Sequence, residues 1–235
     1  MKAPRRRSLV AVGVTLVVAA AAVIGLTSGP DNPEYNGKNL STWLDELSAL
    51  GHPKDTDPTT EQAKAIRAIG TNGIPWLLHD LGTKGNALYW RCNQVLKKQG
   101  IIKYRFPEAH DRLRRACLGF HALGESAASA IPDLLKLVEV QPGYVPSALA
   151  GVGRPAIPAL QQCLTNLWSC DSSVGKLRPI PGNTIGAIHN ATRAGRLSKD
   201  DATIFLPAVR EWAQSTNRNS STYNYATDFL KDFDR

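Results

Sequence analysis

Residues 119–138 read GFHALGESAASAIPDLLKLV, and this stretch decides the fold. Phe120 and Leu123 stand four positions and one position before Gly124, a spacing that puts bulky side chains on one helix face. Glycine readily takes the left-handed conformation that ends many helices, and proline is tolerated in the first turn of the next helix. The stretch therefore predicts a helix, a glycine turn and a second helix that opens with Ile-Pro.

The same pattern occurs twice more in the chain. AIRAIG, GFHALG and ALAGVG align without gaps and end at Gly70, Gly124 and Gly153. Small residues stand two and five positions before each glycine, so another helix can approach closely there. The second helix opens with Ile-Pro in each copy and with Leu-Pro in a weaker fourth copy. These openings are Ile74-Pro75, Ile131-Pro132, Ile157-Pro158 and Leu206-Pro207.

Repetition of this unit predicts an array. One helical hairpin cannot bury its apolar stripe alone, whereas stacked copies bury a continuous core. The first two repeat glycines are 54 residues apart and the next two are 29 apart, so the first interval contains an insertion. The predicted fold class is all-α, an α-solenoid of helical hairpins preceded by an N-terminal hydrophobic helix.

The repeat resembles a known family. The pattern LGxxAxxAIPxLLxLV at 123–138 resembles the phycobilisome-lyase-like subclass of HEAT repeats. The segment YNGKNLSTWLDEL at 35–47 resembles the leader of exported or membrane-anchored bacterial HEAT proteins. The resemblance covers roughly residues 35–213 and implies HEAT-type hairpins. It implies little about function, because such arrays serve many roles.

The patterns divide the chain into four regions. We expect a signal-anchor or signal peptide at 1–30, a linker and leader helix at 31–58, a HEAT-repeat solenoid at 59–215 with a basic insertion near 83–111, and a C-terminal capping helix at 216–235.

Capping residues predict where several helices begin. Ser41 or Thr42 is expected to cap the leader helix. A capping box at 59–62, with Thr59 as the cap, precedes the first repeat helix. The sequence at 198–201 predicts a further helix start before the fourth copy.

The N-terminus predicts export. Residues 9–26 form an 18-residue run without a charge, behind the cationic residues Arg5–Arg7. A spanning helix needs roughly 20 apolar residues, and a signal peptide usually has a shorter apolar region, so both interpretations stay open and we favour the anchor. The cationic end stays in the cytoplasm in either case. We therefore expect a single-pass membrane protein with an extracytoplasmic C-terminal domain or, alternatively, a secreted or periplasmic protein.

The N-terminal charges also weaken a nucleic-acid interpretation. Lys2 and Arg5–Arg7 contribute half of the formal net charge of +8. The part of the chain expected to fold is therefore only mildly basic, and we do not expect it to bind nucleic acid.

The chain contains four cysteines, Cys92, Cys117, Cys163 and Cys170. The even number fits an oxidising compartment. We expect a disulfide between Cys163 and Cys170, and a second between Cys92 and Cys117 is compatible with neighbouring helices. The alternative is four small buried apolar residues.

The motifs of enzyme chemistry do not occur in a fitting context. The segment GVGRPA at 151–156 resembles a dinucleotide fingerprint, but no strand pattern precedes it. No two histidines have the spacing of metal ligands on a helix. His121 lies inside a repeat helix, where a satisfied, partly buried histidine is commoner than a catalytic base. We therefore expect no catalytic residues, no cofactor and no metal.

Two surfaces are candidates for binding. The position five residues after each Ile-Pro or Leu-Pro opening points away from the apolar stripe. These residues are His79, Lys136, Gln162 and Glu211, with Trp76 and Asp133 beside them. The second surface belongs to a basic region at 91–115 and suits an anionic partner such as a lipid headgroup, an acidic wall polymer or a protein. Its residues are Arg91, Lys97, Lys98, Lys103 and Arg105. Either set also fits ordinary solvent-exposed positions.

These expectations combine into a function. The sequence favours an extracytoplasmic, membrane-anchored HEAT-repeat scaffold that mediates protein–protein interaction and is not an enzyme. The alternatives are a lyase-like enzyme on a HEAT scaffold and a structural subunit of a membrane complex.

Overall fold

The computed structural model describes residues 29–51, 57–83, 109–165, 180–215 and 221–233. Contacts divide the chain into a unit at 1–31 and a unit at 32–235. The apolar run and the five basic candidates lie outside the described residues. Within the described ranges, no helix has the length and apolar character needed to cross a membrane.

The described part of the chain is mostly helical, as the all-α prediction expects. Its α-helices are α1 (Leu40–Ala49), α2 (Glu61–Ile69), α3 (Ile74–Leu81), α4 (Ala109–Leu123), α5 (Ile131–Leu137), α6 (Val145–Val152), α7 (Ile157–Thr165), α8 (Ile180–Arg193), α9 (Lys199–Thr203), α10 (Leu206–Ser215) and α11 (Ser221–Lys231). Short 3₁₀ segments at Gly70–Gly73, Gly124–Ala130 and Arg154–Ala156 precede α3, α5 and α7.

A small β-hairpin precedes α1. Strands β1 (Glu34–Tyr35) and β2 (Lys38–Asn39) pair antiparallel, with Glu34 opposite Asn39. Asn36 and Gly37 form the turn with φ of 50° and 74°, the conformation that tight hairpins require of an Asn-Gly pair. The Trp43 indole donates a hydrogen bond to the Tyr35 carbonyl at 3.1 Å. The hairpin therefore rests on α1, and its Asn-Gly pair is a sequence signal that the prediction of a linker omits.

Two of the predicted helix caps are wrong by a few positions. Asn39, not Ser41 or Thr42, caps α1, because its side chain accepts the Thr42 amide at 3.0 Å. Thr60 caps α2 by accepting the Ala63 amide at 3.3 Å.

The hydroxyl of Thr59, the predicted cap of α2, is bonded elsewhere. It donates to the Asp57 carboxylate at 2.7 Å. The capping box of Ser198 and Asp201 at the start of α9 is confirmed.

The three repeat glycines all have positive φ, as predicted. The φ angles are 63° at Gly70, 58° at Gly124 and 85° at Gly153. At Gly70 and Gly153 ψ is −144° and −143°, which is close to the region that only glycine occupies and far from a left-handed helical turn. A Cβ at Gly70 would meet no atom within 4 Å, so the backbone conformation, and not lack of space, selects glycine.

The helices that open with Ile-Pro or Leu-Pro begin where the sequence predicts. The side chain three residues after each isoleucine or leucine opening is fully buried at 0% exposure. These side chains are Leu77, Leu134, Leu160 and Val209. The predicted stripe therefore forms part of the core. Burial of one such side chain stabilises the fold by about 1.5–3 kcal/mol.

Small residues allow the close approach that the repeat pattern predicts. A Cβ at Gly119 in α4 would collide with the Leu77 side chain of α3. A Cβ at Gly151 in α6 would lie 2.9 Å from the His121 backbone nitrogen of α4. Ala68 of α2 stands two positions before Gly70, as Gly151 does before Gly153, but Ala68 is exposed. It lies on the first repeat helix, which no earlier repeat helix covers.

Helices α2, α4, α6, α8 and α11 pack against one another in chain order. Each of α3, α5, α7 and α10 packs against the next member of this row along the chain. Helix α8 belongs to the row although the repeat pattern does not predict it, because two internal glycines and Asn183 weaken its helical signal.

We expect Gly70→Ala to lower the free energy of unfolding by about 1–3 kcal/mol, because alanine strains a backbone that lies near a glycine-only region. Gly143→Ala is the control, since a Cβ there would be 3.9 Å from its nearest neighbour, Asn183, and no positive φ is required. The control should change stability by less than about 1 kcal/mol. Urea unfolding measures both changes, and equal effects would contradict the assignment.

Candidate partner-binding face

Four helices present the residues predicted for partner binding, and we call His79, Lys136, Gln162 and Glu211 with Trp76 the candidate face. The side chains of His79 and Lys136 are 48% and 74% exposed. Gln162 and Glu211 are also exposed. Position three is buried in each helix, and position five lies about 200° further round, so its exposure follows from helix geometry. The structure confirms that exposure, while binding stays a prediction.

Trp76 and Lys136 differ in how freely they can meet a partner. Trp76 is half-buried and packs against the core, so it offers part of its ring and little freedom to move. Lys136 pairs with Asp133 at 2.7 Å, with side chains 74% and 54% exposed. An exposed ion pair of this kind contributes about 0–1 kcal/mol, so a partner's carboxylate can replace Asp133 at little cost.

Next to His79 in the chain, Asp80 belongs to a cluster of charged side chains with Arg115 and Asp45. The sequence patterns did not predict this cluster. Asp80 is only 4% exposed, and Arg115 of α4 is 8% exposed. One Arg115 nitrogen bonds Asp45 of α1 at 2.6 Å, and another lies 3.7 Å from Asp80. Asp80 Oδ2 and Arg115 Nε have no hydrogen-bond partner within the part of the chain that the structure describes. Burial raises the pKa of Asp80, and the Arg115 charge opposes that rise.

Arg115 belongs to the basic region at 91–115, but it is not one of that region's solvent-exposed charges. The Arg115 side chain is buried and joins α1, α3 and α4 instead of facing a partner. Arg114 also points inward, donating to the Ser48 hydroxyl at 2.6 Å. The anionic-partner patch itself lies outside the described residues and stays a prediction.

His121 has partners on both ring nitrogens, as expected for a satisfied histidine. Arg196 contacts Nδ1, and the Ser147 hydroxyl lies 3.3 Å from Nε2. A guanidinium can only donate, so Arg196 donates to Nδ1, and the ring is held between its two partners.

The described cysteines are poor nucleophiles. Cys117 and Cys163 are buried free thiols. Burial raises the pKa of Cys117 to about 12 and that of Cys163 to about 11, so neither forms a thiolate at neutral pH. The structure does not show the predicted Cys163–Cys170 bridge. Cys170 and Cys92 lie outside the described residues, and both pairings stay predictions.

The described residues hold no group of three or more metal-ligating side chains. The GVGRPA segment at 151–156 follows helix α6 and turns through Gly153 into a 3₁₀ segment. A dinucleotide fingerprint needs a strand before its glycines, so this segment is a repeat turn.

Comparison with known proteins adds no assignment, because the chain matches no protein-family model, no curated protein and no solved structure.

We expect Asp80→Asn to change the pH dependence of stability. Burial raises the pKa of the folded carboxyl above its ordinary value of 3.8, so protonation favours the folded state. This contribution is complete below the ordinary value and is lost as pH rises through the folded pKa. Acidification from neutral pH should therefore stabilise the wild type relative to the variant.

Urea unfolding at a series of pH values measures this difference. Asp133→Asn, at an exposed site, is the matched control and should leave the wild-type pH dependence nearly unchanged. Parallel curves for wild type and Asp80→Asn would contradict the burial of a charged Asp80.

Proposed function

We propose that the chain is a HEAT-type solenoid held on the outer side of a cell membrane, where it binds a protein partner. The observation that carries this proposal is the candidate face, which places exposed, chemically mixed side chains on four helices with the same register. The solenoid is supported by the chain-order packing of α2, α4, α6, α8 and α11. In helical-repeat arrays, helices that pack side by side expose the same positions, and together these positions form an extended binding surface.

The chemistry of the candidate face supports a protein partner. It combines an imidazole, an ammonium, an amide and a carboxylate, with an indole beside them. A polymer with one repeating charge would favour a uniform charge along the face, whereas a protein surface is irregular. Trp76 supplies an aromatic side chain of the kind that contributes strongly to protein interfaces.

The contacts of three histidines support binding over catalysis. His110 contacts the Tyr144 hydroxyl, His121 lies between Arg196 and Ser147, and His189 bonds Asp232. Each of these histidines joins helices or their ends. These three rings are therefore engaged in holding helices together.

The location rests on the N-terminal sequence. The 9–26 run is long enough to anchor the chain if it is retained, and the arginines before it keep that end in the cytoplasm. The candidate face then meets its partner outside the cytoplasm.

Simultaneous alanine substitution of His79, Lys136, Gln162 and Glu211 should reduce crosslinking of the full chain to its partner at least tenfold, because the contact surface is lost while the core is untouched. The measurement compares crosslinked complexes from membranes that carry wild type or variant at equal levels.

The matched control replaces four exposed residues outside the candidate face, Glu61, Lys64, Thr71 and Asn224, with alanine. It should retain the wild-type complex. Loss of the complex in both variants, or in neither, would reject the candidate face as the binding surface.

A reporter enzyme that is active only outside the cytoplasm, fused after Tyr35, tests the location. We expect activity with the native sequence and loss of activity when the apolar run at 9–26 is deleted. A reporter restricted to the cytoplasm that is active at the same junction would overturn export.

A further inference from the structure

The chain contains two Asn-Gly pairs, Asn36-Gly37 and Asn72-Gly73. This dipeptide is chemically labile, because glycine has no side chain to shield its backbone nitrogen, and that nitrogen can attack the side-chain amide carbon of the asparagine. The attack needs a rotation of the backbone between the two residues, so the surrounding structure decides how often it occurs. The two pairs have the same chemistry and lie in different structures, so each is a reference for the other.

The first pair forms the exposed tip of the β-hairpin that precedes α1. Asn36 has φ of 50°, and among the described residues no other residue except glycine has positive φ. Both members of the pair are exposed. A Cβ at Gly37 would meet no atom within 4 Å, so the space around the attacking nitrogen is open.

Few contacts hold this tip closed. The pair of Tyr35 with Lys38 is the last one before the turn, and both residues are exposed. Lys38 fastens the tip to α1, because its ammonium bonds Glu46 at 2.7 Å and lies 4.4 Å from the centre of the Trp43 ring. Exposed contacts of this kind break readily. Rotation at Asn36 therefore requires the tip to open while the core stays packed.

The second pair lies in the 3₁₀ segment that leads into α3. The Ile74 amide donates to the Thr71 carbonyl, and this bond spans the pair. Gly73 is buried, and a Cβ there would lie 3.0 Å from the Leu40 side chain of α1. Rotation at Asn72 would break the bond and move Gly73 away from Leu40, which requires part of the core to unfold.

We propose that Asn36 deamidates spontaneously in the folded protein, whereas the fold protects Asn72. The Gly37 nitrogen gives its proton to a base in the solvent and bonds to Cγ of Asn36, and the side-chain nitrogen leaves as ammonia. Water then opens the resulting cyclic imide at either of its carbonyls. One water molecule is consumed, one ammonia is released, and no atom changes oxidation state. The reaction does not depend on the proposed function.

The two products have different consequences for the hairpin. Opening at the side-chain carbonyl of Asn36 leaves aspartate on an intact main chain, and aspartate accepts positive φ in such a turn. Opening at the main-chain carbonyl leaves isoaspartate, in which the main chain runs through Cβ and Cγ and is one carbon longer. Because the turn length sets the register of the strands, the longer main chain breaks the pairing of Glu34 with Asn39.

Peptide mapping by mass spectrometry follows both pairs in the full chain, incubated in oxygen-labelled water because each event replaces the amide nitrogen with an oxygen from water. The reference is the same chain unfolded in guanidinium chloride. In the folded chain we expect Asn36 to react at least tenfold faster than Asn72, and in the unfolded chain the two rates should agree within about threefold. The Asn36 rate should rise with pH, because the attacking nitrogen must lose its proton.

Lys38→Ala tests whether opening of the tip controls the reaction. This variant should react about threefold faster at Asn36 and no faster at Asn72, because it removes the contacts that fasten the tip to α1. Lys64→Ala, which removes an exposed lysine from α2, is the matched control and should react like wild type. Circular dichroism melting shows whether each variant is folded.

Equal rates at the two pairs in the folded chain would overturn the site, as would an unmodified Asn36 under conditions that modify both pairs in the unfolded chain. A folded Lys38→Ala variant that reacts like its control would contradict opening of the tip as the route. Trypsin should cleave after Lys38 faster in the isoaspartate form than in the aspartate form, and equal cleavage would contradict the loss of strand pairing.

Discussion

The positive φ of the repeat glycines is the constraint on which the rest of the structure depends. Gly70 and Gly153 each follow the last residue of a helix and have φ of 63° and 85° with ψ near −144°. Residues that carry a Cβ strongly disfavour this combination of backbone angles. This turn redirects the backbone within a few residues, so that the next helix starts at an Ile-Pro pair. The register of the second helix follows, and with it the burial of Leu77 and its equivalents.

Close packing between successive hairpins is the second constraint. Gly119 admits the Leu77 side chain, and Gly151 admits the backbone around His121. The first and second helices of the repeat can then share one core, with position three of the second helix inside and position five outside. The candidate face is thus a consequence of core packing, because the same rotation that buries the leucines exposes His79 and Lys136.

Polar side chains that resemble chemical candidates serve mainly to join helices. Asp80 and Arg115 connect α3 to α4 and, through Asp45, to α1. His121 and Arg196, which are 75 positions apart in the sequence, contact each other. Asp232, just after α11, bonds His189 of α8 at 2.8 Å and lies 3.6 Å from Arg193 of the same helix. Binding chemistry is therefore best sought where a charged group is not already used in packing.

The sequence by itself determined the glycine turns, the proline-started helices, the apolar stripes and the outward position of the candidate face. These features depend on interactions within about ten residues, which periodicity and turn chemistry encode. It indicated the caps only to within one or two positions, because Asn39 and Ser41, and likewise Thr59 and Thr60, are residue types that all cap helices well. Tertiary structure alone decided the pairing of Arg115 with Asp45, 70 positions away, and the packing of α8 against α11. Such contacts join distant segments, and no local pattern specifies which segments the packed row brings together.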